Sequence, residues 1–305
     1  MNIPGTLYIV ATPIGNLEDI TFRAVRILKE VDLIAAEDTR HTRKLLTHFN
    51  ISKPLTSYFD HNKHVKGDAI LGKLREGLSV ALVSDAGTPC VSDPGYQLVR
   101  DAVAAGITVI PVPGASAVIT ALAAAGLPSD CFTFEGFLPN RQNKRREKLS
   151  ALKAEGRVII FYESPNRLAA TLNDISAILG ERELVVAREL TKLYEEFVRG
   201  NTSDVIARLA DRQIRGEVVI LVAPADPKDS VSVEGAEGIS VALERYLFTE
   251  GLSLRDAVRR ASIEMNLPRG EVYAEALRIN GNSSDMARLA DAKNKQLENI
   301  NKKST

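Results

Sequence analysis

The chain reads as an α/β protein followed by a small helical domain, and three observations carry that reading. Short apolar, β-rich runs alternate with helical patterns through the first two-thirds of the 305 residues, as expected of sheets with substantial parallel character covered by helices. The alternation is interrupted near Pro111–Ser129, where a strand, a Pro-Gly turn and an Ala-rich helix precede a different second half. It ends at Pro224-Ala225-Asp226-Pro227-Lys228-Asp229-Ser230, a polar linker beyond which no strand pattern remains. The expected organisation is an α/β domain over 1–114, a second over 115–225, a helical domain over 235–292 and a polar tail over 293–305.

The elements follow in chain order. Predicted strands are Leu7–Ala11, Asp32–Ala36, Ser79–Ser84, Thr108–Val112, Val158–Tyr162, Leu184–Ala187 and Val218–Val222, each a short apolar run between turn residues. Ala24, Ile27, Leu28 and Val31 share one helical face, with Asp19 or Thr21 placed to cap it. Asp38 or Thr39 opens the helix that runs to His48, and Ala117 to Ala125 forms another. Beyond the linker, Ser253-Leu254-Arg255-Asp256 has the form of a capping box. Leu254, Val258, Ala261 and Met265 then fall on one face, Asn266-Leu267-Pro268 breaks the helix, and Glu271 to Ile279 reads as the next.

Composition narrows the class. Thirty-nine basic and 39 acidic residues cancel, so any polyanion site is a local patch rather than a global field. Cys90 and Cys131 form no CxxC pair, which argues against a disulfide framework and a zinc site. The start lacks the pattern of a signal peptide, and no apolar run approaches the roughly 18 residues of a membrane span. A soluble, cytoplasmic protein without membrane contact is expected.

The densest signal follows the third predicted strand. Ser84–Gly95 packs two Gly, two Pro, two Asp, two Ser and a Thr into twelve positions. Ligands of open α/β sheets bind beyond the carboxyl ends of strands, where Gly and Pro let the backbone approach closely in a fixed shape. Four other loops share that position: Ala11–Thr21, Pro113–Ala117, Phe161–Arg167 and Ala187–Lys192. None of the 20 glycines forms G-x-G, and no G-x-x-x-x-G-K-[ST] occurs, so the dinucleotide fingerprint and the P-loop are both missing.

Two basic clusters point to an anion. Arg40, His41, Arg43 and Lys44 crowd a helix N-terminus, where cations oppose the macrodipole, and a phosphate backbone suits them. Asn140–Lys148, with Arg141, Lys144, Arg145 and Arg146, is the most basic window and reads either as a solvated charge run or as a nucleic-acid contact. His41, His48, His61 and His64 have no metal-ligand spacing, so no metal is expected.

Leu7–Thr21, Ala36-Glu37-Asp38-Thr39-Arg40-His41-Thr42, Ser84–Gly95 and Phe161-Tyr162-Glu163-Ser164 occur together and in this order. In these motifs the chain resembles the tetrapyrrole methylase superfamily, and within it the bacterial methyltransferases that act on a ribose of 16S ribosomal RNA. The likeness runs from about Leu7 to Val222. It implies two α/β domains of the tetrapyrrole methylase type, S-adenosylmethionine in the cleft between them, a homodimer, and 16S rRNA or the small ribosomal subunit as partner. The implied reaction is 2′-O-methylation of a cytidine in the decoding centre. The implied cofactor contacts are Ala86, Gly87, Thr88, Val91, Ser116 and Ala117, with Glu163 and Leu190 further on and Pro13 in the first loop. Thr88 stands where many tetrapyrrole methylases have Asp.

Such a reaction needs the ribose hydroxyl aligned with the methyl group and relieved of its proton. Candidate bases at strand ends are Asp38, Asp85, Glu163 and Glu189, and the residues do not choose among them. The Ser253–Ile279 unit serves either recognition of RNA or subunits, or packing alone. The alternatives are methylation of a tetrapyrrole intermediate and a cofactor-sensing RNA-binding assembly factor without turnover.

Overall fold

The computed structural model describes residues 4–59, 63–93, 95–226, 233–265 and 267–279. The chain divides into two compact units, Met1–Ala225 and Asp226–Thr305. His61, the linker 227–230, Asn266 and the predicted tail lie outside the described residues.

The first unit begins with β1 (Thr6–Val10), α1 (Phe22–Glu30), β2 (Leu33–Ala36), α2 (Thr39–His48), β3 (Leu55–Ser57), α3 (Lys63–Arg75), β4 (Val80–Val83), α4 (Tyr96–Ala104) and β5 (Thr108–Val112). It continues with α5 (Ala117–Ala125), β6 (Phe132–Phe137), α6 (Gln142–Ala151), β7 (Val158–Glu163), α7 (Leu168–Leu179), β8 (Glu183–Arg188), β9 (Glu196–Asn201), α8 (Thr202–Leu209) and β10 (Val218–Val222).

Two five-stranded sheets result, ordered β3-β2-β4-β1-β5 and β6-β7-β10-β8-β9. Every pairing in the first is parallel. The second is mixed: β6 and β7 are parallel, while β7–β10, β10–β8 and β8–β9 are antiparallel. The predicted parallel character therefore belongs mainly to the first sheet.

Side-chain alternation explains why both faces of the first sheet are covered. Leu33, Ala35, Val80 and Leu82 pack on one side with Ile70, Leu71 and Leu74 of α3 and Leu98 of α4. Ile34, Ala36, Ala81 and Val83 face the other way, against Ala24, Ile27 and Leu28 of α1 and Leu46 of α2. In the second sheet Ile159, Phe161, Val186 and Ile220 meet α6, α7 and α8. Val158, Ile160, Val185 and Val219 face Val118, Ala121 and Leu122 of α5. Each such Leu, Ile or Val contributes about 1.5–3 kcal/mol on burial. Ile14, from the loop after β1, joins this last cluster, so the loop after β1 is packed into the second sheet's core.

The predicted strands match β1, β2, β4, β5, β7, β8 and β10 to within a residue or two at each end. Three more strands are present, β3, β6 and β9, and all lie at sheet edges. Edge strands bury one side or less, and none of these three shows an apolar run. β6 also carries a register shift between Phe134 and Gly136, with Gly136 at φ +65°.

The second unit contains α9 (Val233–Glu244), a π-helical turn at Arg245–Thr249, α10 (Leu254–Glu264) and a helical stretch at 269–279. Ser253 Oγ accepts from Asp256 N–H at 3.2 Å and donates to the Asp256 carboxylate at 2.7 Å, completing the predicted capping interaction. Leu243, Tyr246, Ala257, Ala261, Val272 and Ala276 form its core.

Candidate active site

The loops after β1 and β4 are bonded to each other. Thr12 N–H donates to the Gly87 carbonyl at 2.9 Å, and Gly87 N–H returns the bond at 3.1 Å. Thr12 Oγ1 also donates to the Ser84 carbonyl at 3.3 Å. Gly87 sits at φ +82°, and a side-chain carbon there would lie 3.4 Å from Ile14 Cγ2. Cys90 and Ser92 take positive φ as well, at 72° and 63°. Non-glycine residues seldom do so, and such conformations concentrate at functional sites.

A second lock joins this ledge to the other sheet. Asn16 N–H donates to Thr191 Oγ1 at 3.1 Å. Gly15 lies so close to Lys192 that a Cβ would meet its Cγ at 2.5 Å. Thr88 Oγ1 donates to the Ala115 carbonyl at 3.2 Å, fixing the β4 loop against the entry to α5.

Two cavities open along this seam and share Ile14, Asp85, Ala86 and Glu217. The larger, about 400 Å³, runs past the β4 loop, the start of α5 and the end of β7. Ala86, Gly87, Thr88, Val91, Ser116, Ala117 and Glu163, all implied cofactor contacts, line it. Its other walls include Phe137 and Tyr162, whose rings meet edge to face at 5.6 Å between centroids, together with Val219. The smaller cavity, about 260 Å³, is lined by Pro13, His41, Thr42, Lys44 and Lys192 among others. Leu190 lines neither; it is buried in the cluster that also holds Ile14.

Charge divides between the two. The larger cavity has Glu37, Asp85, Asp93, Glu163 and Glu217 on its walls and no Lys, Arg or His among the described residues. The smaller has His41, Lys44 and Lys192 beside Asp85 and Glu217.

The four predicted bases differ sharply in their surroundings. Asp38 caps α2 by accepting from Arg40 N–H at 2.8 Å, and its carboxylate is paired with the Arg40 guanidinium at 2.7 Å. The Arg40 side-chain bond, aided by the backbone bond, holds the Asp38 carboxyl well below the usual carboxylate range. Glu163 is buried, accepting from Thr171 Oγ1 at 2.6 Å and Ser164 N–H at 2.7 Å, with Arg167 at 3.3 Å. Glu189 is bound by Lys192 Nζ at 2.8 Å, which lowers its pKa, and by Glu217 N–H at 3.2 Å. Of these four only Asp85 lines both cavities, and its Oδ1 accepts from Asp38 N–H at 3.0 Å. Asp38 thus positions the residue that sits at the junction.

The basic window at 140–148 requires a correction. Arg145 is buried, its guanidinium 2.7 Å from Asp174, and is not placed to touch RNA. Asp174 on α7 is itself buried and must be neutralised, and Arg146 supplies a second bond at 2.7 Å. Burial pushes the Asp174 carboxyl up, but hydrogen bonds from Arg146, Arg145 and Gln142 outweigh it and hold the group below its ordinary range. Lys148 is paired with Glu135. Arg141 and Lys144 stay exposed and carry no ion pair among the described residues, as do Arg43 and Lys44 on α2.

Three residues on the wall of the larger cavity carry no distinguishing signal in the sequence. Asp93 lies in the Ser84–Gly95 loop, and only its place on the cavity wall distinguishes it from a turn residue. Burial raises its pKa, countered in part by the Ser84 hydrogen bond. Tyr162 is pushed up to about 12, first by burial and then by the nearby Asp93 charge. Glu217 precedes β10 and had no signal of its own.

The larger cavity fits S-adenosylmethionine on its donor set. An acidic wall suits a cationic sulfonium and ammonium, while the start of α5 offers backbone N–H groups without a side-chain cap at Ser116. Phe137, Tyr162 and Val91 supply apolar surface for a flat ring, and the volume falls in the range of small-molecule sites.

Comparison with known proteins places this geometry. The family model Tetrapyrrole (Corrin/Porphyrin) Methylases matches residues 6–206. A Halalkalibacterium halodurans protein named Ribosomal RNA small subunit methyltransferase I is 47% identical over 88% of this chain and 93% of its own length. A Synechocystis protein of the same name is 50% identical over 90% of this chain and 98% of its own. Among solved structures, uroporphyrin-III C-methyltransferase from Thermus thermophilus, complexed with S-adenyl homocysteine, shares the fold. It has a TM-score of 0.51 at 18% identity, over 72% of this chain and 97% of that one. The chain belongs to the tetrapyrrole methylase family and, within it, groups with the proteins named ribosomal RNA small subunit methyltransferase I.

Proposed function

We propose that the chain is an S-adenosylmethionine-dependent methyltransferase that modifies the ribose 2′-hydroxyl of a cytidine in the decoding centre of 16S rRNA. The observation that carries this reading is the pair of cavities of unlike charge that meet at Asp85. A cation-bearing cofactor suits the wall without basic residues, and a phosphodiester suits the cavity with Lys44 and His41. The name shared by relatives at 47% and 50% identity supports rRNA as the substrate class.

Bound in the larger cavity, S-adenosylmethionine would supply a methyl group already activated by its sulfonium. Ala86, Gly87 and Thr88 hold it by backbone contacts, with Ser116 and Ala117 at the α5 N-terminus. Lys44 and Arg43 hold the phosphates that flank the reacting ribose. Much of the rate comes from alignment of the hydroxyl, and the rest from removal of its proton. Asp85 takes that proton, because it faces both cavities while Asp38, Glu163 and Glu189 are committed to other partners. The protein acts as a homodimer in the cytoplasm on the small ribosomal subunit.

Incubation with labelled cofactor and bare 16S rRNA, small subunits or a porphyrin precursor tests the reading. The expected product is 2′-O-methylcytidine after nucleoside digestion. Label in a tetrapyrrole, on a base, or in no product refutes it.

A further inference from the structure

The link between β8 and β9 ends in two exposed apolar side chains, Leu193 and Tyr194, at 88% and 69% exposure. Neither side chain makes a hydrogen bond or ring contact among the described residues. Everything around them is fixed. Thr191 N–H donates to the Glu195 carboxylate at 2.5 Å, Lys192 N–H to the Glu189 carbonyl at 3.0 Å, and Glu195 N–H to the Lys192 carbonyl at 3.1 Å. Glu189 and Thr191 are held at φ 52° and 67°. Lys192 Nζ is clamped by Glu189 at 2.8 Å and Glu217 at 3.1 Å. A strained, heavily bonded loop is therefore holding a bare Leu-Tyr tip in one position.

The position is informative. Lys192, one residue before the tip, lines the smaller cavity, as Lys44 and His41 do. An aromatic ring near an unpaired cation is the pairing by which proteins hold unpaired nucleic acid, with the cation on the backbone and the ring on a base. Lys192 is committed to Glu189 and Glu217, and Lys44 is the lysine left for a phosphate. Resting on the rRNA reading above, we propose that Tyr194, backed by Leu193, is a stacking platform for an unpaired nucleobase next to the modified nucleotide. The platform contributes to substrate selection: a strand whose bases stay paired offers no free face to the ring. A ribosomal protein as occupant is the competing outcome. Lys44 in the adjoining cavity, exposed and without an ion pair among the described residues, favours RNA over it.

The chain has no tryptophan, so Tyr194→Trp installs a single reporter that keeps the stacking face. Its emission is expected to be quenched by 16S rRNA, with binding scored in parallel by filter retention. Tyr194→Ala should raise KM for small subunits about ten-fold with cofactor Kd unchanged, while Tyr194→Phe stays near wild type. Unquenched emission with RNA bound, an unchanged KM for Tyr194→Ala, or quenching by subunits but not by rRNA overturns the inference. A wild-type protein that neither binds nor methylates rRNA or subunits refutes the functional reading itself. An active protein with a silent Trp reporter refutes only the platform.

Discussion

Arg145→Ala separates the structural and the RNA-facing parts of the basic run at 140–148. Arg145 lies 2.7 Å from Asp174, with the two side chains 6% and 1% exposed. Removing one member of a buried pair costs about 3–5 kcal/mol, because the other charge stays buried without its counterion. Arg146 Nε at 2.7 Å and Gln142 at 3.4 Å still reach Asp174, which places the expected loss near the lower end, ~3 kcal/mol. For a unit of this size, about 2–4 °C per kcal/mol converts that to a melting shift of roughly 6–12 °C. Circular dichroism melts measure it. The same variant should leave the salt dependence of rRNA binding unchanged. Lys144→Ala or Arg141→Ala should each lower the log–log slope by roughly 0.7–0.9 with little effect on stability. An Arg145→Ala protein that melts like wild type but binds rRNA with a reduced slope would refute the assignment. Because the Asp174 carboxyl is held below its ordinary value of 3.8, its stabilising contribution is fully present above that pH. It is lost as pH falls through the lower folded value.

Asp85→Asn keeps an oxygen for the Asp38 N–H and should fold normally while single-turnover methyl transfer falls about 10²-fold or more; wild-type turnover removes Asp85 as the base. Gly87→Val places a branched side chain at φ +82°, at a strain of about 1–3 kcal/mol, and fills the ledge beside Ile14. Calorimetry should show weakened cofactor binding, and undiminished affinity counts against the backbone ledge. Asp93→Asn should raise stability at neutral pH and weaken cofactor binding. A carboxyl whose folded pKa is raised favours the fold below the unfolded value and loses that advantage as pH rises through the folded one. If the variant melts lower at pH 7, that account fails.

How far the sequence reached depends on where each element sits in its sheet. β4 and β10 are buried on both faces, so Val80–Val83 and Val218–Val222 appear as uninterrupted apolar runs. β9, Glu196–Asn201, has one buried residue, Val198, and its Arg and Gly make it look like a loop. The lining of the candidate site was legible where short motifs supply it, as at Gly87 and Ser116. It was illegible where tertiary contact decides. No pattern distinguishes Arg145 from Lys144; only the buried Asp174, 29 residues later, makes one of them an internal counterion. Asp93 and Glu217 likewise acquire a role only when the β4 loop and the start of β10 come to the same wall.

The mutual bonds of Thr12 and Gly87 bear on the order in which the protein becomes competent. Thr12 and Ser84, joined in the same ledge, are 72 residues apart in sequence, so the ledge cannot form from either loop alone. In the folded chain the two loops are brought together by the parallel pairing of β1 with β4. A ligand held by this ledge would therefore bind only a chain in which both loops are in place, and would stabilise that state by mass action.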